Sequence, residues 1–240
     1  MSSYSINALP DTTTRHRNTL FSRLLSPAPE FDLSCLGEEN RSEVEAFIQQ
    51  KFKRSYSADI HEFFPDLLCM RCFGKLTGTA GMRVAKNSKL FLEQYLDQAI
   101  QTELSLLRNT RVSRDSIVEI GNLASSQRGA SHLLFLLFTS ILHRAGYRWI
   151  VFTATKSLQN NLSKLGFELS YLADAAPSKL ESDSAEVWGT YYDTEPQVVA
   201  GDLENAMKII QSRPLYRRIL RLYRHQINSL AKEFKAAQHV

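Results

Sequence analysis

The chain has 240 residues, 43% of them hydrophobic and 22% charged, the composition of a globular protein with one sizeable core rather than of a disordered or fibrous one. No stretch approaches the roughly 20 apolar residues of a membrane span, and Met1–Asn18 is Ser/Thr-rich without the apolar run of a secretory signal. From Arg213 onward seven Lys/Arg face one acid, Glu233, so the tail carries +6 of a net +4 and the remainder −2, an asymmetry that suits an acidic partner. Three cysteines form no disulfide framework, so the expected location is reducing and cytoplasmic.

Residues 1–30, with Pro10, Pro27 and Pro29 among Ser, Thr and Arg, read as a loose leader. A helix is predicted from Ser42, whose S-x-x-E spacing to Glu45 suits a capping box, with Val44, Phe47, Ile48 and Phe52 at helical spacing. A short turn over 59–64 ends at Pro65. Residues 67–73 and 77–84 are strand-like and flank Gly74-Lys75, which predicts a hairpin. Residues 91–107 read as one helix, with Leu92, Tyr95, Leu96, Ile100, Leu104 and Leu107 on one face.

A strand over 116–124 leads through a turn-prone loop, 125–130, into a long apolar helix, 131–145, stopped by Gly146. Residues 149–153 read as a buried strand, 156–165 as a helix ended by Gly166, 167–172 as a strand and 188–192 as another. From Leu203 onward the pattern is helical. Strands alternating with helices in the second half predict parallel neighbours there, while the hairpin predicts an antiparallel part. The expected class is α/β (α+β): a mixed central sheet with helices on both faces over 31–200, and a basic helical tail over 201–240.

The loop before the long helix is a candidate anion cradle. A strand running into a glycine-containing loop at a helix start aims free N–H groups at one point, with the positive end of the helix dipole behind them. Gln127, Arg128, Gly129, Ala130 and Ser131 are the candidate contacts, Arg128 as a fixed charge and Gly129 as a place of close approach. A diphosphate fits such a cradle.

The strand and helix that follow, closing on Lys164-Leu165-Gly166-Phe167, resemble the last half of the GNAT acyl-CoA N-acyltransferases. Against that pattern Ser126 and Ser131 stand at two loop positions, and Leu162 stands where the family often carries a tyrosine acid. Longer strings carry a second resemblance: Leu90-Phe91-Leu92-Glu93-Gln94-Tyr95-Leu96-Asp97, Ile117-Val118-Glu119-Ile120-Gly121-Asn122-Leu123-Ala124, Trp149-Ile150-Val151-Phe152-Thr153-Ala154-Thr155 and Trp188-Gly189-Thr190-Tyr191-Tyr192. These resemble the thermostable hemolysin family, itself similar to the GNAT group and to acyl-homoserine-lactone autoinducer synthases. The resemblance implies transfer of an acyl group, fatty in kind, from acyl-CoA or an acyl-carrier protein to a small amine, with no metal. It also implies that Arg83, of Gly81-Met82-Arg83, and Glu119 stand beside the acceptor.

Acyl transfer to an amine needs a base for the ammonium proton and donors for the oxyanion. Glu119 is the only charge within 117–124 and is the candidate base; its plain reading is a solvated strand residue. Arg83 is the candidate for an acceptor carboxylate or carrier phosphate, and otherwise a surface arginine. Gly121 and Asn122 suit a bulge that would admit the donor arm, with the oxyanion at N–H groups near Leu123 and Ala124. Glu93 and Asp97, at i and i+4 on the expected helix without a basic partner in register, are candidate acceptor contacts, as are Asn122 and Thr153. Thr153, Thr155 and Asn160 follow the second parallel strand, where α/β folds bind ligands, although Thr155 also suits a helix cap.

Cys69 and Cys72 point to opposite faces of a strand and have no second pair, so no metal site is expected. His132 and His143 read as helix residues, and there is no G-x-S-x-G elbow. In the tail, Tyr216, Leu220, Tyr223, Ile227, Leu230 and Phe234 form an a/d seam with Arg217, Arg218, Arg221 and Arg224 outside it. The seam suits packing on the domain, a homodimer, or a peripheral helix on anionic lipid of the inner membrane; nucleic acid is not expected. The competing functional readings are a lytic protein acting through that tail and an acyl-CoA binder without catalysis.

Overall fold

The structure is a computed structural model that describes residues 28–86, 88–126, 130–180 and 186–238. Seven strands are present among them: β1 (Glu30–Ser34), β2 (Asp66–Cys72), β3 (Lys75–Val84), β4 (Ile117–Ser125), β5 (Trp149–Ala154), β6 (Leu169–Asp174) and β7 (Gln197–Asp202). They form one sheet in the order β1-β2-β3-β4-β5-β7-β6. Only β4 and β5 run parallel; every other neighbouring pair is antiparallel. The helices are α1 (Arg41–Tyr56), α2 (Ile100–Arg108), α3 (Ala130–Ala145), α4 (Lys156–Lys164), α5 (Leu203–Ser212), α6 (Pro214–Leu222) and α7 (Arg224–Ala237).

Strand alternation divides the core into two layers. Leu68, Met70, Met82, Val118, Ile120, Ile150 and Phe152 pack with α3, α5, α6 and α7 on one face. Leu67 and Cys69 meet α1 on the other, and Ile117, Trp149, Val151 and Val198 meet Leu92, Tyr95, Ile100 and Leu104 there. The mixed sheet with helices on both faces is as expected.

Several elements differ from the sequence reading. Residue 42 opens no capping box: Asn40 is the N-cap, its side chain bonds no helix N–H, and Glu45 turns to Arg41 at 2.7 Å. Arg41 is buried and donates to the carbonyls of Ser34, Phe64 and Pro65, which ties α1 to β1 and to the segment before β2. Residues 59–64 are not helical.

The helix expected over 91–107 breaks into a 3-10 turn, Phe91–Tyr95, and α2. The strand expected at 188–192 is instead a pair of 3-10 turns, Glu186–Trp188 and Tyr192–Thr194. β7, absent from the reading, inserts between β5 and β6, so β6 has no parallel neighbour.

The tail is part of the same core. Tyr216, Ile219, Tyr223, Ile227, Leu230 and Phe234 are buried in one cluster with Leu133, Leu137 and Ile141 of α3, and Leu220 packs at its margin. The boundary expected at 200 falls inside β7. An apolar seam already covered by its own domain is not the free amphipathic face of a membrane-surface helix.

Candidate active site

The geometry of the site begins with β4. Its register with β5 runs from Ile117↔Trp149 to Ile120↔Phe152 and stops there. On its other edge β4 continues along β3, with Thr79↔Ala124 and Gly81↔Gly121, so that one β3 residue faces two on β4. That bulge bends β4 away from β5. Asn122, at its centre, has a φ of +46°, a conformation that asparagine tolerates better than most residues. The bulge expected at Gly121-Asn122 is therefore present, and the two parallel strands part beyond Ile120.

A cavity of about 320 Å³ opens at the parting, lined from both faces of the sheet. Phe135 of α3, Phe152 of β5 and Ser157, Leu158 and Asn161 of α4 line one side. Phe64, Arg83, Glu119, Phe91 and the tyrosines 56, 95, 191 and 192 line the other.

Glu119 sits in this wall and is buried, with a side-chain exposure of 3%. Its two oxygens accept the N–H groups of Leu92 (2.8 Å) and Phe91 (2.9 Å), two unpaired donors at the start of the 3-10 turn. Burial raises the carboxyl to about 7; the Leu92 N–H, the Arg83 charge and the Phe91 N–H hold it back from rising further. A carboxylate offers about four lone-pair sites, so a further donor has room beside the two backbone N–H groups.

Arg83 lies opposite Glu119 in the β3–β4 ladder. Its guanidinium approaches Glu119 only to 3.9 Å and rests 4.6 Å from the centre of the Phe64 ring. Phe64 in turn lies over two glycines: a Cβ on Gly121 would come within 2.5 Å of the ring, and one on Gly81 within 2.8 Å of the Phe64 Cβ. The Phe64 N–H donates to Asn122 Oδ1 at 2.8 Å. Asn122, a candidate acceptor contact, thus spends its carbonyl oxygen on anchoring Phe64 while still lining the cavity.

The candidates from the rest of the sequence distribute unevenly. Leu123 and Thr153 line the cavity, whereas buried Ala124 packs against the α1 side. Asn160 is exposed and faces elsewhere; its neighbour Asn161, one step around α4 with Ser157 and Leu158, lines the cavity instead. Thr155 lines the rim and caps α4, accepting the Leu158 N–H at 3.3 Å.

Glu93 and Asp97 share no helix face, because the 3-10 turn ends between them. Each also has a basic partner. Glu93 binds both Arg114 Nη1 (2.6 Å) and Nη2 (2.7 Å), and the N–H groups of Leu90 and Ile100. Burial alone would raise its carboxyl, but the Arg114 hydrogen bonds and those N–H donors prevail and hold it at about 2. Asp97 is exposed and pairs with Lys179 at 3.2 Å. Gln127, Arg128 and Gly129 lie outside the described residues, as do the side chains of Ala130 and Ser131; the backbone of these last two opens α3.

What the sequence reading missed is the aromatic wall. Trp188 packs on Phe52, Phe91, Tyr191 and Tyr192, and the Tyr95 and Tyr192 hydroxyls meet at 2.5 Å. The Gly189 in the run Trp188–Tyr192 was the available sign that it is no strand: a Cβ there would stand 2.2 Å from the Tyr56 carbonyl oxygen. Leu162, in the position where a tyrosine acid would stand, is buried in the main core and faces away from the cavity.

The model of the family described as thermostable hemolysin matches residues 36–207. The chain belongs to that family. Comparison with curated proteins gives no match. Among solved structures, the hemolysin-family chain is similar to the AHL synthase LasI, at 12% identity and a TM-score of 0.50 over 73% of this chain and 90% of that one.

A CoA-dependent acyl-homoserine lactone synthase, BjaI, solved with SAM and isopentyl-CoA, gives 10% identity and 0.49 over 83% and 90%. FeeM, an N-acyl amino acid synthase from uncultured soil microbes, gives 12% and 0.46 over 72% and 93%. The likeness to LasI shows that this chain shares the fold of that synthase. Among the described residues of this hemolysin-family member, no helix is long and apolar enough to cross a membrane.

Proposed function

We propose that the chain is an N-acyltransferase that moves an acyl group from a thioester, acyl-CoA or an acyl-carrier protein, to a small amine. The observation that carries the reading is a buried carboxylate, Glu119, raised to about 7 in the wall of a cavity where two parallel strands part. A group titrating near neutrality is suited to exchange protons with an amine. The fold, shared with an acyl-homoserine-lactone synthase, supports it.

In this reading the acceptor enters between Glu119, Arg83 and the aromatic wall. Glu119 takes a proton from the ammonium, and the freed nitrogen lone pair attacks the thioester carbonyl carbon. N–H groups of the β4 bulge, near Leu123, receive the oxyanion. The C–S bond then breaks, the electron pair leaves on sulfur, and the nitrogen gives up its second proton to solvent as the neutral amide forms. A thiol titrates near 8.5, so the thiolate can depart before protonation and collect its proton from water; Leu162 supplies none. Arg83, loosely paired, holds a carboxylate on the acceptor. The donor's phosphates rest where β4 passes into α3.

The test is thiol release from purified protein given acyl-CoA or acyl-carrier protein with a panel of amines and amino acids, with mass spectrometry of the products. Acceptor-dependent release, slowed roughly 100-fold in Glu119→Gln, is expected. Acyl-CoA binding without release by the wild type would instead identify a binder that has lost catalysis.

A further inference from the structure

The β2–β3 hairpin turns on two residues, Phe73 and Gly74, between the paired Cys72 and Lys75. Both have positive φ, +52° and +73°, the backbone of a turn that Asn-Gly or Asp-Gly adopts at least cost. A phenylalanine there is conformationally costly, and its ring is 83% exposed, so packing within the chain does not compensate it. Strain without an internal return marks a place to look for function.

A second exposed apolar side chain stands at the same corner. Tyr223, which joins α6 to α7, packs edge-on against Phe31 of β1 with ring centroids 5.5 Å apart, and Gln226 bonds the Phe31 carbonyl. Phe31 pairs with Met70 near the end of β2. The residue before Tyr223 is Leu222, 59% exposed. Arg218, one turn earlier on the same face of α6 as Leu222, is exposed, as are Arg217, Arg221 and Arg224 along α6 and α7 and Lys75 beside the turn. Glu30, across from Arg71, Glu43, bound to Arg71 at 2.8 Å, and Glu233 are exposed acids on the neighbouring elements.

We infer that this corner, the Phe73 tip and Leu222 with the exposed arginines of α6 and α7, docks the protein on an anionic lipid surface. The two apolar side chains enter the acyl boundary and the arginines meet the headgroups, the two-signal arrangement of reversible peripheral binding. The buried tail seam takes no part. This inference is independent of the acyltransfer reading.

The experiment is co-sedimentation of the full chain with vesicles of phosphatidylcholine alone and of phosphatidylcholine mixed with phosphatidylglycerol. Binding to the anionic vesicles only, weakened by salt, is expected. Phe73→Asn should lower it roughly tenfold while the melting temperature stays level or rises, because asparagine suits the turn. Arg218→Glu with Arg221→Glu should abolish it.

Equal binding to neutral vesicles, undiminished binding of Phe73→Asn, or no binding by the wild type would each overturn the inference. So would absence of vesicle binding together with capture by immobilised acyl-carrier protein that the same substitutions remove; that result would give the corner to an acidic protein.

Discussion

At the scale of single residues, two carboxylates at one 3-10 turn, Glu93 within it and Glu119 on its first N–H groups, have opposite electrostatics. Both accept backbone N–H groups, but Glu93 adds a two-pronged Arg114 while Glu119 has Arg83 only at 3.9 Å. The first is held at about 2 and the second raised to about 7. For Glu119 the folded state binds the proton more firmly than the unfolded chain does, so stability falls as pH rises from the ordinary carboxyl range through about 7. Glu119→Gln removes this dependence. The melting temperature of the variant, relative to wild type, should therefore climb from about pH 5 to about pH 8; a constant difference would show that the carboxyl does not titrate there. Acyl transfer by the wild type should rise through the same interval as the base form appears. Glu93 has the reverse sign: its contribution is present above the ordinary carboxyl range and is lost as pH falls toward 2. Glu93→Gln leaves Arg114 half-matched and should cost about 3 kcal/mol in urea unfolding at neutral pH, a cost that shrinks in acid.

At the scale of elements, β4, α3, β5 and α4 were legible because each carries one uninterrupted periodicity between clear stops such as Gly146 and Gly166. The stretch after Phe91 was not, because its apolar residues keep helical spacing across the break. What starts α2 afresh is a side chain, Glu93, accepting the Ile100 N–H. β7 was hidden because a short apolar run leading straight into α5 has no alternation to separate strand from helix. Glu119 was legible as a lone charge in an apolar strand, whereas Phe64 was not: its part depends on Asn122, 58 residues away. That packing has a specific consequence. Gly121→Ala puts a Cβ 2.5 Å from the Phe64 ring and should destabilise by about 1–3 kcal/mol. The same substitution in a Phe64→Ala background should cost almost nothing. Equal costs in the two backgrounds, measured by urea unfolding, would mean that the glycine answers to something other than the ring.

Over the whole molecule, the basic tail combines two roles that its sequence superimposes. The apolar side of α6 and α7 closes the main core over α3 and β1, while the arginines face water. If the tail were an appendage, removing it would leave a folded domain with its cavity intact. The burial of Tyr223, Ile227, Leu230 and Phe234 argues otherwise: Phe234 is fully buried against α3 and half-buried Tyr147, its ring 5.7 Å from the tyrosine ring. Phe234→Ala alone should cost about 3–5 kcal/mol, a large part of what holds a domain of this kind together. Deleting residues 224–240 should then abolish the cooperative thermal transition and any acyl transfer together. Reversing the charge of Arg217 and Arg224, whose side chains are exposed, should shift stability by no more than about 0.5 kcal/mol. A truncated chain that still melts cooperatively near the wild-type temperature would separate the tail from the core and restore the reading of it as a detachable membrane helix.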